Sequence, residues 1–282
     1  MTPNKILVSS PSFYNAFLGY LIRITYKKSI LWVDLRDEWA SHSHIHYHKR
    51  FRRLVEKLII RKSDIVTTVS NNIKRKLENK HNRKNITLLY NYEASSPLLE
   101  LDKLFFDRNS TNFLYIGTMP NGYYDESLFL EFMEKNKYER YHYYFVGFSG
   151  NLESIFTDKY KSITSIIPKV THKRAMQLMR NADVLLFFAY NASDNNGIVS
   201  TKIFEYINSG TPILPFSVKK GSDIDSIFIK SCGKSLYLNS ASDMEKITDD
   251  FDNILPKKNN NDFVCEMKNI QSTLIDKFLY ES

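Results

Sequence analysis

The sequence has 282 residues, of which 43% are hydrophobic and 25% charged, a composition typical of a globular protein with a sizeable core. This composition excludes a disordered chain, and two cysteines provide neither a disulfide framework nor a zinc cluster. The apolar runs are too short to cross a bilayer and no secretory signal is visible, so we expect a cytoplasmic protein, at the inner face of the membrane if it binds lipid.

The net charge of +8 is unevenly distributed along the chain. The first 100 residues contain 18 Lys and Arg against 8 Asp and Glu, whereas the other 182 contain 21 against 23. An anionic membrane surface or a pyrophosphate-bearing acceptor would suit this basic N-terminal part. No helix-turn-helix, zinc-finger or RNP-type motif accompanies it, so we expect no nucleic-acid partner.

Short apolar runs alternate with amphipathic stretches, a pattern that predicts β-α units on a parallel sheet. The helix predicted at 48–62 carries an apolar stripe of Phe51, Leu54, Val55, Leu58 and Ile59 among basic residues. That helix either packs its stripe on the core and exposes a basic face, or lies against a membrane. Strands are predicted at 6–10, 30–35, 64–70 and 86–91, and a polar stretch at 93–112 is interpreted as a linker.

A second β-α series follows this linker. Its predicted strands are 112–117, 141–147, 162–167, 182–189, 212–217 and 235–238. Its predicted helices are 125–136, 172–181, 200–209, 223–231 and 241–255, and a last helical segment covers 263–280. We therefore expect an α/β protein with a partial N-terminal domain at 1–95, a C-terminal domain at 110–258 and a helical tail at 259–282.

The segment GIVSTKIFEYINSGTPIL, residues 197–214, contains the residues that say most about function. Ser200 and Thr201 are typical N-cap residues, and a helix N-terminus attracts anions through its dipole. Lys202 adds a positive charge there, Glu205 is a bidentate acceptor suited to ribose hydroxyls, and Gly210 closes the helix. The segment alone is also compatible with an ordinary amphipathic helix on which Lys202 and Glu205 form a solvated pair.

Several sequence motifs, taken in the order in which they occur along the chain, resemble those of the retaining GT-B glycosyltransferases of the family 4 type, especially the branch that builds bacterial surface polysaccharides. The resemblance covers nearly the whole chain and implies two Rossmann-like domains, the N-terminal one incomplete. It rests on SSP (9–11), VDLRDEW (33–39), DIVTTVS (64–70), FLYIGT (113–118), FVG (145–147), HKRAMQLMRNADVLLF (172–187) and KIFEYINSGTPIL (202–214).

The resemblance implies transfer of a sugar from a nucleotide-diphosphate donor to a saccharide or lipid-linked acceptor, without cofactor or metal. Glu205 would hold the ribose, and the start of its helix would meet the diphosphate. Arg36 and Asp37 would face the acceptor and, with Lys202, act in catalysis, unless they only form an ion pair at a strand end. The implied donor-binding residues are Gly117, Thr118, Val170, Gly197, Ile198, Ser200, Thr201, Lys202 and Glu205.

Three departures from the family pattern bear on activity. Gly197 stands where the family has a glutamate that contacts the donor sugar. The Arg and Lys expected after the first C-terminal strand are missing from GTMPNGYYDES (117–127), a loss for which Lys202 can compensate. The first β-α series opens at what resembles a middle strand. A catalytically impaired or partner-dependent remnant that binds a nucleotide or an assembly partner is the alternative, and a GT-B-fold sugar-nucleotide epimerase is a third.

Two further patterns suggest metal sites weakly. His42, His44, His46 and His48 alternate along the chain, and an extended segment would place all four on one side. Solvent exposure in a loop explains them better, because structural zinc sites usually draw ligands from separate elements. The Asp-x-Asp pairs at 223/225 and 250/252 lie in or beside predicted helices, so neither is expected to bind a metal.

Overall fold

The structure is a computed structural model that describes most of the chain. The described residues are 3–10, 13–37, 49–91, 105–119, 124–136, 140–148, 153, 156, 158–190, 199–244, 247, 251–258 and 262–280. Contacts divide the chain into two compact units. The first contains residues 1–92, 197–199 and 264–282, and the second contains residues 93–196 and 200–263.

The first unit is built on a four-stranded parallel sheet in the order β1-β2-β3-β4. The strands are β1 (Lys5–Ser10), β2 (Ile30–Leu35), β3 (Ile65–Thr68) and β4 (Ile86–Leu88), and the helices between them are α1 (Phe13–Thr25), α2 (Lys49–Lys62) and α3 (Asn71–His81). Val33 and Val66, at the sheet centre, are fully buried against these helices. Runs of apolar residues form such strands because a parallel sheet is covered on both faces.

The opposite face of this sheet is covered by the last helix of the chain, α10 (Asp262–Tyr280). Trp32 and Ile65 pack there with Leu274, and the Trp32 ring meets Phe278 edge-on with a centroid distance of 5.5 Å. The Trp32 indole N–H donates to Thr67 Oγ1 at 3.0 Å, which satisfies the one polar group of the buried ring.

Helix α2 faces the core with a different stripe from the one expected. Val55 and Ile59 are buried as predicted, but Phe51, Leu54 and Leu58 are exposed by 57%, 54% and 37%. The inward face instead accommodates a buried carboxylate, because Lys80 and His81 of α3 both hydrogen-bond to Glu56 Oε1. Of the two alternatives for this stripe, packing on the core therefore holds for Val55 and Ile59 but not for the three exposed residues.

The second unit contains a five-stranded parallel sheet in the order β7-β6-β5-β8-β9. Because β5 has β6 on one side and β8 on the other, the strand order reverses there, and ligands of open α/β sheets bind beyond the carboxyl ends at such a point. The strands are β5 (Thr111–Ile116), β6 (Tyr141–Val146), β7 (Thr164–Ile167), β8 (Val184–Phe188) and β9 (Ile213–Phe216).

Aromatic side chains fill the core of this second unit. Phe113, Phe129 and Phe145 are fully buried, and such rings contribute large buried areas with edge-to-face contacts. The surrounding helices are α4 (Ser127–Lys135), α5 (His172–Asn181), α6 (Lys202–Ser209), α7 (Asp223–Cys232), α8 (Ala241–Met244) and α9 (Phe251–Ile254). The predicted α/β class with two Rossmann-like parallel-sheet domains is thus confirmed.

Two predictions in the second unit are wrong in detail. Residues 235–238 do not form a strand, although Leu238 is fully buried and its carbonyl accepts a hydrogen bond from Ser217 N at 3.1 Å. A single such bond does not make a ladder. The helix predicted at 241–255 is present only as the short helices α8 and α9 in the described part of that range.

Candidate functional site

The predicted helix after residue 200 is present as α6, and Gly210 ends it as predicted with a left-handed φ of 78°. The N-cap differs from the prediction. Thr201 occupies that position with helical dihedrals, φ −57° and ψ −28°, and its side chain makes no capping bond. A capping side chain reaches the N2 or N3 amide only from extended backbone, so the first turn of α6 has no cap from Thr201.

The ammonium group of Lys202, the first residue of α6, packs over a buried tyrosine ring. Its Nζ is 4.1 Å from the centroid of the Tyr115 ring, a distance at which the ring face attracts a cation. Desolvation lowers the pKa of Lys202 to about 8, and the nearby Glu205 carboxylate partly offsets this shift. Lys202 therefore remains mostly protonated at pH 7, as a poorly hydrated positive charge.

Gly117, directly after β5, provides the space that this ammonium occupies. Its φ is +118°, a conformation that other residues rarely adopt, and a Cβ placed on it would lie 2.9 Å from Lys202 Nζ. The next residue, Thr118, is held by its carbonyl, which accepts a hydrogen bond from the Tyr115 hydroxyl at 2.8 Å. The structure therefore brings Gly117, Thr118 and Lys202 together at the carboxyl end of β5.

Helix α6 is attached to β5 by a second tyrosine. The buried Tyr206 hydroxyl accepts a hydrogen bond from Ile116 N at 3.1 Å, so the last amide of the strand is paired with a side chain of the helix. Burial raises the pKa of Tyr206 well above its ordinary value, which keeps this phenol neutral. This contact fixes the position of Lys202 relative to Gly117.

Glu205 lies one turn into α6, and its carboxylate remains partly exposed. Its Oε1 is 3.9 Å from Nδ1 of His172, the first residue of α5. Thr171 caps α5 by accepting a hydrogen bond from Arg174 N at 3.3 Å, and Val170 precedes that cap. The helix start after Val170 and the carboxylate of Glu205 therefore lie at the same edge of the sheet.

Sequence reasoning did not select His172 or Tyr115 as site residues. His172 could have been found, because it opens a helix directly after Val170, where ligands of an α/β sheet are expected. Tyr115 gave no such signal, since an aromatic residue within a strand is usually core. Its role depends on Lys202, which is distant in sequence.

Other predicted residues fall outside this cluster. Gly197, Ile198 and the four histidines at 42, 44, 46 and 48 lie outside the described residues. Among the residues described, no group of three or more His, Cys, Asp or Glu could hold a metal ion. In the first of the Asp-x-Asp pairs, Asp225 accepts hydrogen bonds from Gly221 N at 2.7 Å and from the Tyr237 hydroxyl at 2.8 Å.

Arg36 and Asp37 follow β2 in the first unit, and Arg36 has a local partner. Its Nε donates to Asp34 Oδ2 at 2.5 Å, and Asp34 is buried with its other oxygen accepting from Thr67 Oγ1 at 2.7 Å. Arg36 thus forms an ion pair with Asp34 at this strand end, and Asp37 is exposed.

Comparison with known proteins gives matches in structure only. No protein-family profile and no curated protein matches the sequence. The pneumococcal O-GlcNAc transferase GtfA, solved with UDP and GlcNAc, aligns with a TM-score of 0.59 and 13% identity over 98% of this chain. The lipopolysaccharide outer core galactosyltransferase WaaB aligns with a TM-score of 0.63 and 12% identity, also over 98%. The chain has the GT-B fold of these glycosyltransferases.

The alignments also define how much of each protein is shared. This chain covers 57% of GtfA and 76% of WaaB. A putative UDP-N-acetylglucosamine 2-epimerase from Listeria monocytogenes aligns over 99% of this chain and 75% of its own, with a TM-score of 0.51 and 13% identity.

In the described part of this chain, none of the helices combines the length and apolar character needed to cross a bilayer.

Proposed function

We propose that this protein is a retaining glycosyltransferase that moves a sugar from a nucleotide-diphosphate donor to a saccharide acceptor. The observation that carries the proposal is the desolvated Lys202 ammonium, which lies over Tyr115 beside Gly117 at the carboxyl edge of the second sheet. A fixed positive charge at a helix start is suited to a diphosphate, and UDP in the GtfA structure is consistent with that ligand class.

The assigned roles are those that the family resemblance implies, and the charge and position of the residues are consistent with them. Lys202 and the first turn of α6 stabilise the negative charge that the leaving diphosphate gains as the glycosidic bond breaks. Glu205 accepts hydrogen bonds from the ribose hydroxyls, while Gly117 and Thr118 let backbone approach the phosphates. The backbone near Val170 borders the base. Because Lys202 and the start of α6 supply positive charge for the diphosphate, we propose a reaction that needs neither a cofactor nor a metal.

A binding and turnover screen tests this proposal. The purified chain is titrated with UDP-, GDP- and ADP-sugars, and the Lys202→Met variant should bind the preferred donor at least about tenfold more weakly. Lys220→Met, which removes an exposed lysine of the same unit, should bind as the unmodified protein does. Equal donor binding by Lys202→Met and the unmodified protein would contradict the assignment, and a β-linked product from an α-linked donor would contradict retention.

We further propose a lipid-linked acceptor, in the synthesis of bacterial O-antigen or capsule. The outer face of α2 supports membrane contact, because the exposed Phe51, Leu54 and Leu58 lie among exposed basic residues. Arg36 and Asp37 would act on the acceptor side. Vesicles containing phosphatidylglycerol should bind the chain, vesicles of phosphatidylcholine should not, and Leu54→Ser should weaken the binding.

One observation favours a second candidate, a nucleotide-binding protein that turns over only with a partner. Among the described residues the sheet of the first unit has four strands, and β1 at its edge carries the exposed Leu7. Donor binding without any transfer by the isolated chain would support this candidate. Release of free UDP and sugar without acceptor would instead support an epimerase.

A further inference from the structure

A buried carboxylate near the carboxyl end of β2 binds side chains from both neighbouring strands. Asp34 accepts hydrogen bonds from Thr67 Oγ1 of β3 at 2.7 Å and from Ser9 Oγ of β1 at 3.3 Å. Thr67 Oγ1 in turn accepts the Trp32 indole N–H at 3.0 Å. Because three adjacent strands contribute to these bonds, the Asp34 carboxylate is fixed relative to the sheet.

This carboxylate holds the Arg36 guanidinium by one nitrogen. Arg36 Nε donates to Asp34 Oδ2 at 2.5 Å, and among the described residues no other group accepts a hydrogen bond from the Arg36 side chain. The side chain is 35% exposed. A guanidinium that is held through Nε presents its two Nη groups as a planar fork, and such a fork binds two oxygens of one anion. Asp34 therefore orients Arg36 and leaves its donor fork open to a ligand.

Arg36 lies at the edge of the first sheet where ligands of open α/β sheets bind, beyond the carboxyl ends of the strands. It directly follows β2, and its amide donates to the Ser10 carbonyl at the end of β1. The preceding residue, Leu35, is in register with Thr68 of β3, and α3 begins shortly after Thr68 with Ser70 as its N-cap. The positive end of the α3 dipole therefore lies at the same edge, where it favours an anion.

The electrostatics of this part of the chain favour phosphate over carboxylate as the anion. Asp34 compensates the charge of Arg36 itself, so the field at this edge comes from the surrounding residues. The first 100 residues contain 18 Lys and Arg against 8 Asp and Glu, which makes that field positive. A phosphate monoester carries a charge of about −1.5 to −2 at pH 7 and three acceptor oxygens, so it gains more from this field and from the fork than a carboxylate does.

We propose that Arg36 binds a phosphate group of the acceptor and that Asp34 is the residue that positions Arg36. This inference rests on the proposed glycosyltransferase function, in which Arg36 lies on the acceptor side. The acceptor is then a saccharide that carries a phosphate or diphosphate, rather than a neutral sugar. Thr67 and Ser9 stabilise the site indirectly, because they hold the Asp34 carboxylate.

Calorimetric titration of the full chain with inorganic pyrophosphate tests the site. All proteins carry Lys202→Met, which removes the charge assigned to the donor diphosphate, and the salt concentration is about 0.15 M to screen exposed charges. Arg36→Gln should raise the dissociation constant of pyrophosphate at least about tenfold. The matched control, Arg61→Gln, removes an exposed arginine at the end of α2, which leads into the opposite edge of the sheet, and should bind like the parent. Tryptophan fluorescence, to which the buried Trp32 contributes, checks that each variant is folded.

Two more variants separate an oriented fork from general electrostatic attraction. Arg36→Lys keeps the charge but not the fork, so it should not restore the affinity of the parent. Asp34→Asn removes a negative charge beside Arg36, so electrostatics alone would strengthen pyrophosphate binding. A positioning role for Asp34 instead predicts weaker binding by folded Asp34→Asn.

Several results would overturn the proposal. They are no binding of pyrophosphate by the parent, equal binding by Arg36→Gln, full rescue by Arg36→Lys, tighter binding by Asp34→Asn, and equal affinity of the parent for malonate, a dicarboxylate. The donor screen with the unmodified protein is read separately. Donor binding without Arg36-dependent pyrophosphate binding would refute only the acceptor site. Arg36-dependent binding without any donor binding would contradict the glycosyltransferase function, and with it the assignment of the phosphate to an acceptor.

Discussion

Raising the pH from 7 to 9 should remove the proton from Lys202 and weaken binding of a nucleoside diphosphate. Burial lowers the pKa of Lys202 to about 8. The group is then about 90% protonated at pH 7 and about 10% at pH 9. If only the protonated protein binds the diphosphate, the apparent dissociation constant rises about tenfold over this interval.

Isothermal titration with UDP, or with the preferred base found in the donor screen, measures this change. Repeating the titration in buffers of different ionisation enthalpy should show proton uptake on binding that increases from pH 7 to pH 9. Lys202→Arg keeps its charge throughout this range, so its affinity should change little with pH. A flat profile for the unmodified protein, or the same slope in Lys202→Arg, would refute the reasoning.

The same lowered pKa affects stability with a definite sign. Lys202 has a folded pKa of about 8 and an ordinary value of 10.5, so the unfolded chain binds more protons between these values. The free energy of unfolding should therefore rise with pH across that window. The desolvated ammonium costs at most about 3 kcal/mol below pH 8, and Lys202→Met should remove this cost. Denaturant unfolding at pH 7 and pH 10 measures both effects.

Three further substitutions test other contacts. Gly117→Ala places a Cβ 2.9 Å from Lys202 Nζ at a φ of +118°, and should cost about 1–3 kcal/mol in thermal unfolding and weaken UDP binding. Tyr206→Phe leaves Ile116 N without its acceptor and should lower the free energy of unfolding by about 1–3 kcal/mol. If this variant binds UDP as tightly as the unmodified protein, the bond has no role in positioning Lys202. Asp34→Ala should destabilise the first unit by a similar amount, because Arg36 and Thr67 lose their shared acceptor. An unchanged melting temperature would show that this shared acceptor does not stabilise the unit.

The strands and the α6 segment were predictable because their signals are local. Buried parallel strands are continuous apolar runs, and Gly210 marks a helix end by its own backbone conformation. Contacts between distant residues were not predictable in this way. The approach of Lys202 to Tyr115 depends on the order of strands in the sheet, which periodicity does not specify.

Helix α2 shows a second limit of sequence patterns. The buried side of α2 contains Val55, Glu56, Ile59 and Ile60, so it is rotated about the helix axis relative to the apolar stripe that the spacing predicts. Glu56, which hydrogen-bonds to Lys80 and His81, lies on this buried side, whereas Phe51 and Leu54 are exposed. A prediction from hydrophobicity alone would place this carboxylate in solvent.

Because α10 covers Trp32 and Ile65, the first unit joins the beginning of the chain to its last helix. During synthesis the ribosome completes β1 to β4 long before Leu274 and Phe278 are available. Until then this face of the sheet stays uncovered, and the second unit is synthesised in the interval. The unit that contains β1 to β4 is therefore completed only after the second unit has been synthesised, and the fluorescence of Trp32 should report the docking of α10 as a late folding step.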